Sequence, residues 1–155
     1  MTQHFGGHIG RTVAESKPWW PQVARPRKGA PNVLVILFDD LGFSHLGCYG
    51  SSKLAKGGLR YTNFHTPALC SPTRAALLTG RNHHSVGMRG LANWSTGFPN
   101  CTGTVAKSAG TLAEMLRPVG YSTFVVGKWH LTPMEDTSAA GPFDHWPLSR
   151  GFERF

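Results

Sequence analysis

The sequence predicts an α/β fold with a mostly parallel sheet flanked by helices. Three observations carry that expectation. Residues 33–38 (Val-Leu-Val-Ile-Leu-Phe) form an unbroken apolar run rich in β-branched side chains, the pattern of a strand buried on both faces. Two helical patterns, opening at Ser71-Pro72 and at Thr111, alternate with shorter extended patterns at Leu59–His65 and Tyr121–Val126. The 19 glycines and 11 prolines among 155 residues demand frequent turns and disfavour a helical bundle.

Taken in order, residues 1–30 read as an irregular basic lead-in. Pro18, Pro21 and Pro26 break any period, and Arg11, Lys17, Arg25, Arg27 and Lys28 face Glu15 alone. Trp19 and Trp20 are expected to dock this segment on the body. The apolar run at 33–38 ends abruptly in Asp39-Asp40, with glycines at 42, 47 and 50 making a flexible loop behind it. Ser71 is expected to cap the first helix with Pro72 in its first turn, and Gly80 to stop it. Residues 81–110 read as loop. Thr111 and Glu114 form a capping-box pattern, with Leu112, Met115, Leu116 and Val119 at helical spacing and Gly120 as the stop. Tyr121–Val126 then runs as a strand into Gly127-Lys128-Trp129-His130, and the last 25 residues carry no regular pattern.

Composition narrows the function. With 40% hydrophobic and 15% charged residues the chain is globular, not a disordered tail. No apolar run reaches the ~20 residues that span a bilayer, so no membrane partner is expected. The polar N-terminus has no apolar signal core, which favours a cytoplasmic location. Cys48, Cys70 and Cys101 make no C-x-x-C pair, and free thiols suit a reducing compartment. The formal charge of +8 attracts anions. No interleaved face of basic and aromatic residues supports nucleic-acid binding beyond the lead-in, which reads equally as a solvated arm.

Three polar clusters fall where open α/β sheets gather their chemistry, at strand ends and at the helix starts facing them. Asp39-Asp40 are adjacent carboxylates that repel unless a cation lies beside them, and such hard oxygen donors suit Ca²⁺ or Mg²⁺; alternatively one caps a turn and the other faces water. Cys70-Ser71-Pro72-Thr73-Arg74 sits at a helix start, where free N–H groups favour an anion and activate a thiol. The plain alternative there is a small buried cysteine with Arg74 in a surface ion pair. Lys128 and His130 share one face of an extended segment and offer a fixed charge and a proton-handling ring; as a solvated pair around Trp129 they would do nothing further.

These segments resemble the sulfatase family. Cys70-Ser71-Pro72-Thr73-Arg74 with Leu78-Thr79-Gly80-Arg81 behind it is similar to the family's C-x-P-x-R signature. Pro31 to Gly42, Gly127-Lys128-Trp129-His130-Leu131 and Gly151-Phe152-Glu153-Arg154-Phe155 resemble its other motifs in order and spacing, so the likeness covers residues 31–155. The resemblance implies an alkaline-phosphatase-like α/β fold and hydrolysis of aryl or alkyl sulfate esters. It implies that a formylglycine-generating enzyme oxidises Cys70 to formylglycine, whose hydrate attacks sulfur with one hydroxyl and expels sulfate with the other. It further implies Asp39, Asp40 and the residue at 70 as metal ligands for Ca²⁺ (Mg²⁺ as substitute), Arg74 as stabiliser of developing charge, and Lys128 and His130 as groups on the diol and substrate. His130 would be the proton shuttle.

Two departures accompany the likeness. Between Gly50 and Lys56 the sequence holds only Ser51-Ser52-Lys53-Leu54-Ala55 where relatives carry a longer segment running into a short helix. The family's further calcium ligands, and another Lys and His for sulfate, lie downstream of Phe155. The expectation is therefore a truncated, incomplete catalytic domain, inactive alone. A phosphonate or phosphate monoester hydrolase with the same diol chemistry, and a non-catalytic fragment binding through its basic arm, are the competing readings. His83-His84 read as solvated loop histidines, and the N-x-S/T patterns at Asn93 and Asn100 as chance.

Overall fold

The structure, a computed structural model, describes residues 4–49 and 59–155. The segment between Gly50 and Lys56, where the sequence departs from the family pattern, lies outside the described residues.

Helix α1 spans Cys70–Thr79. Its stop is as expected: Gly80 takes the left-handed conformation at φ 65° and its N–H returns to the Ala76 carbonyl. Its start is not. Leu69 is the cap residue and offers no side-chain bond, while Ser71 lies inside the first turn. The Ser71 hydroxyl donates instead to the His130 carbonyl at 2.6 Å and accepts from the Ala92 N–H at 3.1 Å. A serine that is wholly buried must satisfy its own hydroxyl, and two long-range backbone partners do so better than a local cap. Thr73 anchors the turn by donating to the Leu69 and Pro67 carbonyls.

Helix α2 spans Leu112–Leu116 with the capping box in place: the Glu114 N–H donates to the Thr111 hydroxyl, and the Thr111 N–H to the Glu114 carboxylate. The chain tightens into a 3₁₀ turn over Arg117–Val119, as Pro118 cannot donate to the ladder, and Gly120 at φ 94° ends it.

Arg150 locks this region. Only 2% exposed, it donates to the Val105 and Ala109 carbonyls and pairs with Glu114 at 3.3 Å. Gly151, at φ 92°, passes against the Ala113–Glu114 backbone where a Cβ would collide.

The parallel sheet is the expectation the described residues do not meet. They contain no strand; a single parallel bridge joins Phe124 to Arg154, with Val125 donating to the Arg154 carbonyl and Glu153 to that of Thr123. The run at 33–38 is exposed, Leu34 at 83% and Ile36 at 68%, and Leu59–His65 is likewise irregular. A parallel strand is stable only with partners on its edges and layers on its faces, and the described residues give 33–38 neither. The Phe124–Arg154 bridge does place Gly151–Phe155, which carried no predicted structure, beside the predicted strand at Tyr121–Val126.

The core forms where loop was expected. Ala75 of α1 packs with Val86, Met88, Ala92, Val105, Ala109 and Leu131, and Trp129 leans on the cluster. Residues 83–109 thus supply five of the seven residues of this cluster without helix or strand beyond the 3₁₀ turn His83–Val86. His83 bonds the Met88 carbonyl through Nδ1 at 2.9 Å and meets exposed His84 edge to face. In the lead-in, Trp19 packs edge-on against Phe5, while Trp20 is 83% exposed rather than docked. The segment touches the body instead through the Tyr121 hydroxyl on the Pro31 carbonyl and the Arg25 backbone beside Gly120.

Candidate active site

α1 presents its first residue, Cys70, and one turn later Arg74 to the same place. Arg74 is nine-tenths buried. One guanidinium nitrogen, Nη2, reaches Asp39 Oδ1 at 3.1 Å and the other donates to the Lys128 carbonyl. Lys128 Nζ lies 2.5 Å from Asp39 Oδ2 and 3.3 Å from Cys70 Sγ. The end of the apolar run, the start of α1 and the Gly127–His130 segment therefore meet at one point. Asp39, Asp40, Cys70, Arg74 and Lys128 of the predicted clusters form one site, whereas the His130 ring contacts Asn93 instead.

Electrostatics at that point are mutual. Hydrogen bonds from Lys128 first, and from Arg74 second, hold the Asp39 carboxyl below its ordinary range. The same Asp39 bond, followed by that to Cys70, raises Lys128 above the usual lysine value. Each shift favours the charged form of its group.

Asp40 takes a left-handed φ of 53°, uncommon outside glycine. An oxygen of Asp39, an oxygen of Asp40 and Cys70 Sγ all lie within 4.8 Å of one another. Two carboxylates this close provide hard donors of the kind Ca²⁺ and Mg²⁺ take, and the sulfur marks where the side-chain oxygens of a modified residue 70 would stand. The donor set fits part of a divalent-cation shell. Both Asp39 oxygens already carry a cationic side chain, so a metal must share or displace them. The cleft in front, about 970 Å³, is lined by Asp39, Asp40, Cys70 and Arg74 with Tyr61 and Phe64 opposite.

His130 takes a left-handed φ of 52°. Its carbonyl accepts from Ser71, and its Nε2 lies 3.2 Å from Asn93 Oδ1. Nδ1 is buried without a hydrogen-bond partner among the described residues. Burial first, then the charges of Lys128 and Arg74, lower its pKa, favouring the neutral ring. With Trp129, Met134, Trp146 and Phe155, it lines a largely apolar groove of about 380 Å³. Trp129 itself is fixed by donating through Nε1 to the His145 carbonyl.

Two residues here escape the sequence reading. Ser71 looks like a cap and is a tie between α1, Ala92 and His130; Asn93 looks like part of a chance N-x-S pattern and touches His130. Neither has a local signal, because each contact spans more than twenty residues.

A helix-start cysteine flanked by arginine, lysine and a carboxylate pair joins a thiol to cations suited to an anion, and comparison with known proteins shows the family. Residues 31–155 match the family model described as Sulfatase, and the chain belongs to that family. It is 42% identical over 144 residues to human arylsulfatase A, covering 86% of this chain and 25% of that protein. With mouse steryl-sulfatase it shares 40% over 147 residues, covering 87% and 23%. With an uncharacterized sulfatase of Schizosaccharomyces pombe it shares 39% over 140 residues, covering 79% and 23%. The chain spans about a quarter of the length of these relatives. No helix among the described residues is long and apolar enough to cross a membrane.

Proposed function

We propose that this chain supplies the nucleophile, a carboxylate part of the metal site and the anion-binding cations of a sulfuric ester hydrolase acting on aryl or alkyl sulfates. The observation that carries the reading is the position of Lys128 Nζ, 3.3 Å from Cys70 Sγ and 2.5 Å from Asp39. It unites three sequence motifs at one atom. The names of the arylsulfatase and steryl-sulfatase relatives support the sulfate-ester class.

Residues 31–155 act as part of the catalytic domain, as the extent of the family match supports, with 1–30 as a lead-in. Formylglycine made from Cys70 would, after adding water, supply two hydroxyls on one carbon, a nucleophile for sulfur and a second group able to expel sulfate as the aldehyde re-forms. A Ca²⁺ or Mg²⁺ held by Asp39, Asp40 and the residue at 70 supplies Lewis-acid polarisation of the sulfate oxygens. The chain's own residues do the rest. Arg74, fixed by its bonds to Asp39 and the Lys128 carbonyl, holds positive charge where negative charge gathers on the ester. Lys128 orients the group at position 70 and binds a sulfate oxygen. His130, kept neutral by burial, accepts and returns a proton. The apolar groove beside it receives the organic part of the ester.

Maturation requires an enzyme that oxidises Cys70 in the unfolded chain. The test is the mass of the peptide containing Cys70, recovered after co-expression with a formylglycine-generating enzyme. Exchange of hydrogen sulfide for one oxygen atom is the result expected, and an unchanged thiol overturns the reading. A protein of the relatives' full length carrying these residues should then turn over p-nitrophenyl sulfate. Turnover of phenylphosphonate esters alone would reassign it to phosphonate hydrolysis.

A further inference from the structure

We infer that Asn93 is a positioning residue for His130, holding the imidazole as its Nε2–H tautomer so that Nδ1 keeps a free lone pair. The inference rests on the reading of His130 as the proton-handling group. Its motive is a hydrogen-bond chain that no single motif contains. The Ala92 N–H donates to the Ser71 hydroxyl, which donates to the His130 carbonyl. Ser71 and Ala92 are both wholly buried, so the turn carrying Asn93 is pinned against the His130 main chain. From that turn Asn93 Oδ1 reaches His130 Nε2 at 3.2 Å.

The ring has two nitrogens, and a neutral imidazole protonates one of them. Among the described residues, buried Nδ1 has no hydrogen-bond partner. A proton there would be a buried donor with nothing to receive it, which costs more than a bare lone pair in the same place. A proton on Nε2 meets the Asn93 carbonyl oxygen instead. The carboxamide in turn faces its oxygen to the ring, since its amide group would meet the Nε2 lone pair only by forcing the proton onto Nδ1. Ring and amide thus select each other's orientation, and the nitrogen left basic is Nδ1.

The tautomer is readable directly. In the ¹⁵N-labelled chain near neutral pH, His130 is identified by the imidazole signal missing from His130→Gln. Wild type should show a protonated Nε2 and an unprotonated Nδ1. Asn93→Ala should lower the ratio of Nε2–H to Nδ1–H about fivefold, the loss of one ordinary hydrogen bond. Asn93→Asp should keep the proton on Nε2 and raise the pH at which the ring takes its second proton. The His145 ring, bonded to Asp136 at 2.6 Å, reports that the fold is intact.

A wild-type ring protonated on Nδ1, or an Asn93→Ala ring with an unchanged ratio, overturns the inference. Should Asn93→Ala disturb His145, the Asn93→Asp variant decides: a higher protonation pH sustains the inference and an unaltered one overturns it. Because the signal comes from the ring and not from turnover, failure of the hydrolase assay would remove the proposed function and leave this result standing.

Discussion

Asp39 and Lys128, 89 positions apart in the chain, meet through Oδ2 and Nζ at 2.5 Å, and Arg74 holds the other carboxylate oxygen at 3.1 Å. The carboxylate that would serve a metal is thus balanced internally by two side chains that would serve an anion. If the proposed function holds, a cation arriving at Asp39 would loosen both and free them for a sulfate. Metal and anion should therefore help each other bind, by reciprocal linkage.

Replacing Lys128 with Met removes one competitor for Asp39 and one positive charge near the cation. Calcium should bind the variant several-fold more tightly, and Asp39 should titrate closer to an ordinary aspartate. Isothermal titration against wild type, with Lys107→Met as a control outside the site, measures it. Equal or weaker binding by Lys128→Met would show that the ion pair does not guard the carboxylate.

Acidity should weaken the fold through His130. Its folded pKa lies below the ordinary 6.5 because burial, Lys128 and Arg74 all oppose the charged ring. Below 6.5 the unfolded chain therefore binds more protons, so stability falls as pH falls. Asp39, also depressed, loses its contribution only at pH values below the ordinary 3.8, and Lys128, raised, only above the ordinary 10.5. Melting temperatures from about pH 7.5 to about pH 5 should decline, and decline less in His130→Gln. Identical slopes in both proteins would remove His130 as the cause.

The buried guanidinium of Arg150 offers a sharper loss. Arg150→Met leaves the Val105 and Ala109 carbonyls without the guanidinium donors and Glu114 with only the Thr111 N–H. The cost should be about 3 kcal/mol or more in urea unfolding. A loss under about 1 kcal/mol would mean that water replaces the guanidinium at little cost.

Thr111→Ala removes the cap of α2 and a bond to the Arg150 carbonyl at 2.7 Å. About 1–2 kcal/mol should be lost. Thr111→Ser, which keeps the hydroxyl, should recover most of it by the same measurement.

The site was legible because its residues lie in short, dense motifs whose chemistry is local: adjacent carboxylates, a cysteine before a helix, a lysine and histidine two apart. Helix ends were legible for the same reason, as Gly80, Gly120 and the Thr111–Glu114 pair act within one turn. Ser71 misled because its hydroxyl has distant partners that outweigh a local cap. Residues 83–109 misled because apolar side chains there pack without a period of 2 or 3.6. The run at 33–38 has strand character in its side chains, but pairing is a property of neighbours, and Leu34 and Ile36 meet solvent. Asn93 could be found only once the fold had brought it to His130.

That solvent-facing run has a consequence for handling the molecule. Six successive apolar residues, β-prone and free of proline, with Val33, Leu34, Val35, Ile36 and Phe38 each more than half exposed, form a template for self-association into stacked sheets. The acidic pair beside it would ordinarily act as a charged gatekeeper, yet Asp39 has its charge taken up by Lys128 and Arg74. Aggregation on concentration should thus nucleate at 33–38, and a lysine in place of Val35 should delay it.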